Sequence, residues 1–294
     1  MTKLEGLGES ELLRRIMPFL DGTGFEVPAG KDDAAVWSDH GGFTVATCDT
    51  SVEGVHFDLA WMSPEDAGWR ALALALGDLA AKGAKPWWAL VSVAVPRSWP
   101  LDDFVGLYRG MDELARKVHL HIVGGDLSAI DGPAVLSITV VGRTDFRPLA
   151  RSEARPGWAI AVTGPLGAEA MLLRHRRTRR FEPLLSEGRR LNQAGLCCGD
   201  ISDGLVREMR KFADMSGAGC VIRIAEVPVA EGATLEEALT SGEEAELVCV
   251  GPDELIRGAG LQPIGVLTQD PAVKFAGADE LAIELKLSGY DHFA

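Results

Sequence analysis

The sequence predicts a protein of the α/β or α+β class that is built from two domains. Segments with strand periodicity alternate with segments of helical periodicity along the whole chain. The chain has 294 residues, which suits two ordinary domains better than one. A polar stretch with two prolines, FRPLARSEARPG, occupies residues 146–157. We therefore predict an N-terminal domain at residues 1–146 and a C-terminal domain at residues 147–294.

The first half carries clear helix and strand signals. Apolar residues at helical spacing predict a helix over residues 8–20, which ends at the turn DGTG. Ser63 precedes Pro64 and two acids, a pattern that predicts a helix start, and this helix extends to about Ala81. The remaining predictions are strands at residues 43–48, 87–95, 120–123 and 134–141 and a helix at residues 101–118.

The second half restarts with a buried strand at residues 158–162, followed by the turn TGPLG and a helix. A further helix is predicted from Asp203 onward, where Ser202 and Asp203 are suitable capping residues. Strands are predicted at residues 220–224, 246–250 and 264–267.

Composition narrows the possible function. The net charge of −14 argues against nucleic acid or an anionic membrane as a partner. The five cysteines form no CxxC pair, which indicates reduced thiols rather than a disulfide framework. The N-terminal residues do not resemble a signal peptide, and the longest apolar run is too short to cross a bilayer. We therefore expect a cytoplasmic protein that binds neither nucleic acid nor a membrane.

Aspartates recur where strand and helix patterns break. Oxygen ligands of this kind suit hard cations that accompany phosphate groups. The set consists of Asp32, Asp33, Asp49, Asp78, Asp126, Asp200 and Asp203. Each residue alone also has a structural interpretation, as a turn former, a helix cap or a paired acid.

Asp78 is the most informative member of this set. Ala71, Leu74 and Ala75 precede it and Ala81 follows it on one face of the predicted helix. A carboxylate on such an apolar face must be paired or bound to a metal, because its burial is otherwise unfavourable.

Other motifs are weaker or absent. His56 follows Asp49 by seven residues, and a lone histidine is more often structural than functional. The basic run RHRRTRR at residues 174–180 is most simply a solvated surface. The sequence contains no Walker loop, no HRD or DFG set, no HExxH and no GxSxG.

Taken together, the motifs resemble those of the thiamine-monophosphate kinase family, which belongs with aminoimidazole ribonucleotide synthetase and selenophosphate synthetase in one superfamily. The resemblance begins near residue 29 and continues to the C-terminus. It rests on the order KDDAAV, TCDTSVEGVHF, GDLAAKGAKP, GGDLS, LARSEARPG, GDISDGL, SGEEAEL and GYDHF. The VEGVHF and GYDHF elements are typical of the thiamine branch.

The resemblance implies that ATP phosphorylates thiamine monophosphate to thiamine diphosphate by direct in-line transfer. The acceptor's own phosphate attacks, so no protein nucleophile is needed, and several Mg²⁺ ions neutralise charge. It also implies a homodimer in which mixed N-terminal sheets pair, a C-terminal α/β sandwich-like domain, and ATP bound in a cleft between the domains near the dimer interface.

The resemblance also implies three sets of site residues. The Mg²⁺ ligands would be Asp33, Thr47, Cys48, Asp49, Asp78, Asp126, Asp200 and Asp203. The ATP contacts would be Gly125, Asp126, Arg151 and Ser202. The contacts to thiamine monophosphate would be His56, Glu243 and Tyr290.

Several positions depart from the family pattern. Lys31 replaces a usual Gly, Cys48 a usual Thr and Lys82 a usual Met, and the segment at residues 241–245 is Ser-Gly-Glu-Glu-Ala instead of Gly-Gly-Glu-Asp-Tyr. Two alternatives therefore remain open at this point. One is a related ATP-dependent enzyme with another acceptor, and the other is a non-catalytic protein that binds nucleotide or thiamine phosphate.

Overall fold

A computed structural model describes residues 8–277, 282–283 and 289–292 of the chain. Within these residues the strands form two mixed sheets, one of five strands and one of seven, with helices packed on them. This confirms the predicted mixed α/β class.

The first sheet has the strand order β1-β2-β5-β3-β4 and is antiparallel except where β3 runs parallel to β4. Its strands are β1 (Ala35–Asp39), β2 (Gly42–Val52), β3 (Lys85–Pro96), β4 (His121–Ile130) and β5 (Val135–Thr144). The helices of this half are α1 (Glu9–Ile16), α2 (Pro64–Ala81) and α3 (Leu101–Lys117). Helices α2 and α3 cover one face of the sheet with an apolar core, and the other face is open.

The second sheet has the order β12-β11-β8-β10-β6-β9-β7. Its strands are β6 (Ala159–Val162), β7 (Cys197–Asp200), β8 (Gly219–Arg223), β9 (Leu247–Gly251), β10 (Pro263–Thr268), β11 (Val273–Ala276) and β12 (Ala282–Ile283). The helices are α4 (Ala168–Arg174), α5 (Leu185–Gln193), α6 (Leu205–Ser216), α7 (Leu235–Thr240) and α8 (Asp253–Gly258).

Two apolar clusters lie on opposite faces of this second sheet. One contains residues of α6, such as Met209 and Phe212. The other contains residues of α5 and α8 together with Ala80 and Ala81 from the end of α2. Helix α2 therefore belongs to the first core and also packs on the second sheet. The exact domain boundary at residue 146 stays a prediction.

Helix α2 begins as its sequence predicts. The Ser63 hydroxyl accepts a hydrogen bond from the backbone N–H of Asp66 at 3.1 Å, and Pro64 occupies the first helical position. Most of the helix is buried, because α3 lies on one side and β2, β5 and β7 on others.

Two strands extend far beyond their predicted ends. Strand β2 continues past Asp49 to Val52, and β4 continues past Asp126 to Ile130. In both cases the backbone remains paired with a neighbouring strand, so the expected strand-end loops do not form there. Within the described residues, no helix combines the length and apolar character that a membrane span requires.

Candidate active site

Four aspartates from separate parts of the chain converge between the two sheets. Asp33 lies in the loop before β1, Asp49 in β2, Asp78 in α2 and Asp200 at the end of β7. Carboxylate oxygens of Asp33, Asp78 and Asp200 all lie within 4.8 Å of one another. The first sheet, its main helix and the second sheet thus all contribute to this cluster, which we call the aspartate cluster.

Local contacts fix these side chains. The Thr47 hydroxyl, two residues before Asp49 on the same face of β2, donates a hydrogen bond to Asp78 Oδ2 at 2.5 Å. Gly77 in α2 lies beside β7, and a Cβ at this position would be in van der Waals contact with Asp200 Oδ2 at 3.4 Å. The predicted metal ligands Thr47, Asp49, Asp78 and Asp200 are therefore brought together.

Mutual repulsion and burial change the acidity of the aspartate cluster. Burial raises the pKa of Asp49 to about 7, and the charges of Asp200 and Asp33 add to this effect. Burial, followed by the charges of Asp49 and Asp33, raises the pKa of Asp78 to about 7. Burial also raises the pKa of Asp200 well above its ordinary value. These carboxylates therefore need a cation in order to be fully ionised at neutral pH.

Arg151 provides part of that positive charge. Its side chain is completely buried, and its Nη1 lies 2.5 Å from Asp33 Oδ2 and 2.8 Å from Asp32 Oδ1, whereas its Nη2 lies 2.8 Å from Glu208 Oε2. Burial would raise the pKa of Asp33, but Arg151 and Lys211 hold it below its ordinary value.

Lys211 links the aspartate cluster to the loop that follows β7. Its Nζ lies 3.0 Å from Asp203 Oδ2 and 2.8 Å from Glu208 Oε1. Its distance to Asp33 Oδ2 is 3.8 Å. The predicted ligand Asp203 therefore lies beside the aspartate cluster, held by a lysine that is itself within reach of Asp33.

The donor set fits a hard divalent cation. The aspartate cluster offers only oxygen ligands, and Asp200 Oδ1 is buried without a hydrogen-bond partner among the described residues. Opposite ligands on one Mg²⁺ ion are about 4.2 Å apart, because each Mg–O bond is about 2.1 Å long. The oxygens of Asp33, Asp78 and Asp200 lie within 4.8 Å of one another, so their separation suits one Mg²⁺ ion or a site shared by more than one ion.

A second group of site residues lies beyond the loop at residues 201–203. The backbone N–H of Glu243 donates to the Ser202 carbonyl at 2.7 Å, and the N–H of Tyr290 donates to the Asp203 carbonyl at 3.1 Å. Glu243 perturbs the pKa of both His56 and Tyr290, so its carboxylate lies near both side chains. The loop that carries Ser202 and Asp203 thus holds the backbones of Glu243 and Tyr290, and His56 lies near the carboxylate of Glu243.

Aromatic rings complete this second group. The ring of His292 lies 5.4 Å from that of His56 and 4.8 Å from that of Tyr290, measured between centroids. Burial lowers the pKa of His56, although Glu243 opposes this effect. A neutral imidazole, a phenol and a carboxylate together form a surface that suits a flat cationic ring.

Gly125 and Asp126 lie away from the aspartate cluster within one chain. One row of paired residues crosses the sheet from β2 to β4 and consists of Asp49, Ile138, Val91 and Gly125. Strand β4 is three strands away from β2, which corresponds to about 14 Å at a spacing of about 4.8 Å per strand. Asp126 is exposed and pairs with Ser92 of β3. The row of paired residues that contains both reaches Thr50 in β2, so Asp126 lies on the open face of the sheet. A single chain therefore does not bring Asp126 to the other predicted ligands.

Cys48 has a similar orientation. Its thiol is exposed on the open face and lies 3.4 Å from the hydroxyl of Ser137, whereas the neighbouring residues Thr47 and Asp49 face α2. Only its backbone is placed to take part in the site on the α2 side.

The departures from the family pattern have structural partners. Glu244 Oε1 accepts hydrogen bonds from the N–H groups of Gly167 and Glu169, and Ser241 Oγ accepts from Ala170, so both residues hold the start of α4. Lys82 is buried and donates to Asp32 Oδ2 at 2.5 Å and to the Cys198 carbonyl at 2.9 Å.

Sequence reasoning did not assign Arg70, Lys82, Glu208 or Lys211 to the site. Glu208 and Lys211 are one turn apart on α6, and this spacing beside the GDISDGL motif was the available signal. Lys82 was noted only because it replaces the usual Met of the family pattern. Arg70 gave no signal except its place on the apolar helix α2.

Comparison with known proteins places the chain among enzymes. Residues 31–144 match the family described as AIR synthase related protein, N-terminal domain. The chain is 31% identical to the thiamine-monophosphate kinase of Bacillus subtilis over 98% of this chain and 100% of that protein. It is 32% identical to the thiamine-monophosphate kinase of Methanopyrus kandleri over 90% of this chain and 91% of that protein.

Solved structures agree with this grouping. The structure of AaThiL complexed with AMPPCP and TMP superposes with a TM-score of 0.86 and 26% identity, covering 100% of this chain and 99% of that one. The hydrogenase maturation protein HypE of E. coli shares the fold, with a TM-score of 0.72 at 18% identity over 85% of this chain and 87% of that one.

Proposed function

The chain belongs to the thiamine-monophosphate kinase family, and we propose that it transfers the terminal phosphoryl group of ATP to thiamine monophosphate. The observation that carries this proposal is the aspartate cluster, which adjoins the group of Glu243, His56 and Tyr290 through the loop at residues 201–203. The aspartate cluster suits the metal and phosphates of a nucleotide. The group of Glu243, His56 and Tyr290 suits a cationic aromatic acceptor.

In the proposed reaction a phosphate oxygen of thiamine monophosphate attacks the γ-phosphorus of ATP. The bond between that phosphorus and the β–γ bridging oxygen breaks, so ADP leaves and thiamine diphosphate forms. This chemistry needs no protein nucleophile, which fits a site made of carboxylates and cations. The protein would act by positioning and by electrostatic stabilisation.

We propose that Asp33, Asp49, Asp78 and Asp200 hold Mg²⁺, with Asp203 beside a further ion. When bound, Mg²⁺ would neutralise the charge on the phosphates. Thr47 keeps Asp78 oriented by its hydrogen bond. Cys48 would take part through its backbone, because a thiol is a poor ligand for this ion.

The proposed nucleotide contacts are made by Arg151, by Lys211 and by the loop at residues 201–203. Both terminal nitrogens of Arg151 contact carboxylates, whereas its Nε has no hydrogen-bond partner among the described residues. We therefore propose that Arg151 acts mainly by keeping Asp33 and Asp200 in place, and that it meets phosphate when these acids turn to the metal. Ser202 Oγ lies 3.4 Å from Lys211 Nζ, and we propose that both side chains contact the phosphates of ATP.

We also propose a homodimer in which the open face of the first sheet meets a second copy. This face carries Trp87 and Leu90, which are 42% and 39% exposed, and the edge strand β4 is unpaired on its outer side among the described residues. Gly125 and Asp126 lie on this strand. In the dimer they would approach Cys48 and Thr50 of the partner subunit, which flank Asp49 on the open side of β2, and so complete the predicted ATP and metal contacts.

The chain is proposed to work in the cytoplasm. Its five cysteines are free thiols, and four of them are buried, which suits a reducing compartment.

The deciding experiment is product analysis with Mg²⁺, ATP and either thiamine monophosphate or free thiamine as acceptor. We expect ADP and thiamine diphosphate with the monophosphate and no product with thiamine, because a phosphate oxygen is the attacking group. Asp49→Asn should lower kcat about a hundred-fold or more, as does loss of a group that stabilises transition-state charge. Asp214→Asn, at an exposed position of α6, is the matched control and should behave like wild type.

Activity with free thiamine alone would contradict the proposed acceptor. Binding of both ligands without any ADP release would instead indicate a non-catalytic binding protein.

A further inference from the structure

Arg70 is a fully buried cation on α2, with a relative exposure of 1%. Burying a guanidinium is unfavourable unless carboxylates and hydrogen bonds compensate its charge. Its position therefore depends on its partners, and those partners lie next to the proposed substrate contacts.

Two glutamates share Arg70. Its Nη1 donates to Glu169 Oε2 at 2.5 Å, and its Nε and Nη2 donate to Glu243 Oε2 at 3.2 and 2.5 Å. Glu169 is completely buried and also accepts from Arg179 Nε at 2.7 Å. The ring of Phe181 lies 5.6 Å from the centre of the Arg70 guanidinium.

Glu243 is held in an unusual conformation by these contacts. Its φ is 57°, in the left-handed region that non-glycine residues rarely occupy and that costs free energy. One carboxylate oxygen, Oε2, is taken by Arg70, whereas Oε1 is buried without a partner among the described residues. The free oxygen belongs to a carboxylate close to His56 and Tyr290.

Two arginines and two glutamates meet here, so their formal charges balance. Arg70 contacts both Glu169 and Glu243, and Arg179 contacts Glu169. Glu243 Oε1 is nevertheless left without a partner among the described residues, which leaves this oxygen for a ligand. The thiazolium ring of thiamine is a permanent cation. An acceptor without that charge would gain nothing from a carboxylate held in this way.

We infer that Arg70 is a positioning residue for acceptor recognition, which fixes Glu243 so that its free oxygen meets the cationic ring of the acceptor. Glu169 supports this role by balancing the charge of Arg70. This inference rests on the proposed function, because it assumes that thiamine monophosphate binds at Glu243.

The test measures KM for both substrates in Arg70→Gln and Arg70→Lys. We expect KM for thiamine monophosphate to rise at least ten-fold in Arg70→Gln, and less in Arg70→Lys, which retains the charge but not the two-sided contact. KM for ATP should stay within about two-fold in both variants, because the aspartate cluster keeps its own cations. Arg174→Gln removes an arginine that is 46% exposed and pairs with Glu237, and should leave both KM values unchanged.

A double-mutant cycle separates positioning from general stabilisation. If Arg70 acts through Glu243, adding Arg70→Gln to Glu243→Gln should raise KM for thiamine monophosphate no further than Glu243→Gln does alone. Glu169→Gln provides a second variant in case Arg70→Gln does not fold. It should raise the same KM several-fold, because Arg70 would then neutralise Glu243.

Four results would overturn the inference. Equal rises in KM for ATP and for thiamine monophosphate would indicate a structural role, and full additivity in the double mutant would remove the coupling to Glu243. Wild-type KM values in Arg70→Gln and Glu169→Gln would exclude the positioning role. Absence of turnover in wild type would reject the proposed function itself, and the inference with it.

Discussion

Asp78 shows how a site residue can oppose the stability of its own fold. The pKa of this buried carboxyl is about 7 in the folded chain, raised by burial and by Asp49 and Asp33 from an ordinary value of 3.8. Well below pH 3.8 the group is protonated in both the folded and the unfolded chain. As the pH rises from about 4 to about 7 the unfolded chain loses the proton first, so the metal-free folded state becomes progressively less stable.

Replacing Asp78 with Asn should therefore stabilise the metal-free protein while removing activity. At pH 8 we expect Asp78→Asn to increase the free energy of unfolding by about 2 kcal/mol, with little difference near pH 4, because one shifted pKa unit corresponds to about 1.4 kcal/mol and part of the shift is shared with neighbouring acids. Urea unfolding at both pH values, with and without Mg²⁺, measures this.

Mg²⁺ should raise the melting temperature of wild type at pH 8 but leave that of Asp78→Asn nearly unchanged. A variant less stable than wild type at pH 8 without metal would contradict the assigned acidity.

At the scale of single residues, sequence reasoning found the acids better than their partners. The helical spacing around Asp78 already indicated a buried carboxylate, and the structure buries it to 6% exposure. Lys82 could not be assigned in the same way, because its partner Asp32 is fifty residues away and the ion pair exists only after α2 packs against the loop before β1. Distant pairs of this kind leave no local pattern.

Helix α2 is the element that links the two groups of the site. It carries Arg70 and Asp78 on buried positions eight residues apart, which corresponds to about 12 Å along a helix axis. Its close packing depends on glycines in its neighbours. A Cβ at Gly110 of α3 would lie 1.9 Å from the Glu65 carbonyl oxygen, and one at Gly188 of α5 would lie 1.9 Å from the Ala80 carbonyl oxygen.

Gly110→Ala should push α3 away from the start of α2. We expect a loss of about 3 kcal/mol or more in the free energy of unfolding, since the clash is with backbone and cannot be relieved by a rotamer change. Gly258→Ala, at an exposed helical position with nothing within 4 Å of the added methyl, is the matched control and should be neutral or slightly stabilising. Chemical denaturation of both variants measures the difference, and equal stabilities would contradict the close packing of α2 and α3.

At the scale of elements, strong helices were predictable and strand ends were not. The bounds of α2 follow from its cap and its apolar spacing, and those of α3 agree within one residue. Strands β2 and β4 were predicted too short because Asp49 and Asp126, together with their Thr, Ser and Gly neighbours, resemble loop residues. The sheet keeps them in strands because β5 and β3 supply continuous backbone partners, which the local sequence does not reveal.

At the scale of the whole molecule, the site requires both sheets at once. The aspartate cluster takes Asp49 from the first sheet and Asp200 from the second, and Arg151 in the connection between the sheets contacts acids from both halves. Convergence from both halves could be anticipated from motif order. The placement of Asp126 could not, because strand order and the open face emerge only from the folded sheet.

The position of Asp126 decides whether it joins the aspartate cluster of its own chain or that of a partner subunit. Asp126 lies on the open face, on strand β4, whose outer side is unpaired among the described residues. It is about 14 Å across the sheet from strand β2 of its own chain, which carries Asp49. If two copies join through this face, Asp126 of one subunit completes the aspartate cluster of the other. In a mixed dimer, Asp49→Asn in one subunit and Asp126→Asn in the other would then fall in the same site and leave the second site intact.

Mixing these two inactive variants should therefore restore activity. With free exchange of subunits, half of the dimers are mixed and each has one complete site, so we expect about a quarter of wild-type kcat per subunit. Tagged variants purified after co-expression, with ADP release as the readout, measure this recovery. Adding Leu90→Arg to both chains is the control, since a charge on the exposed face of β3 should keep the copies apart and abolish recovery. If the mixed dimers form but stay inactive, Asp126 serves its own chain and the sheet must rearrange to bring it there.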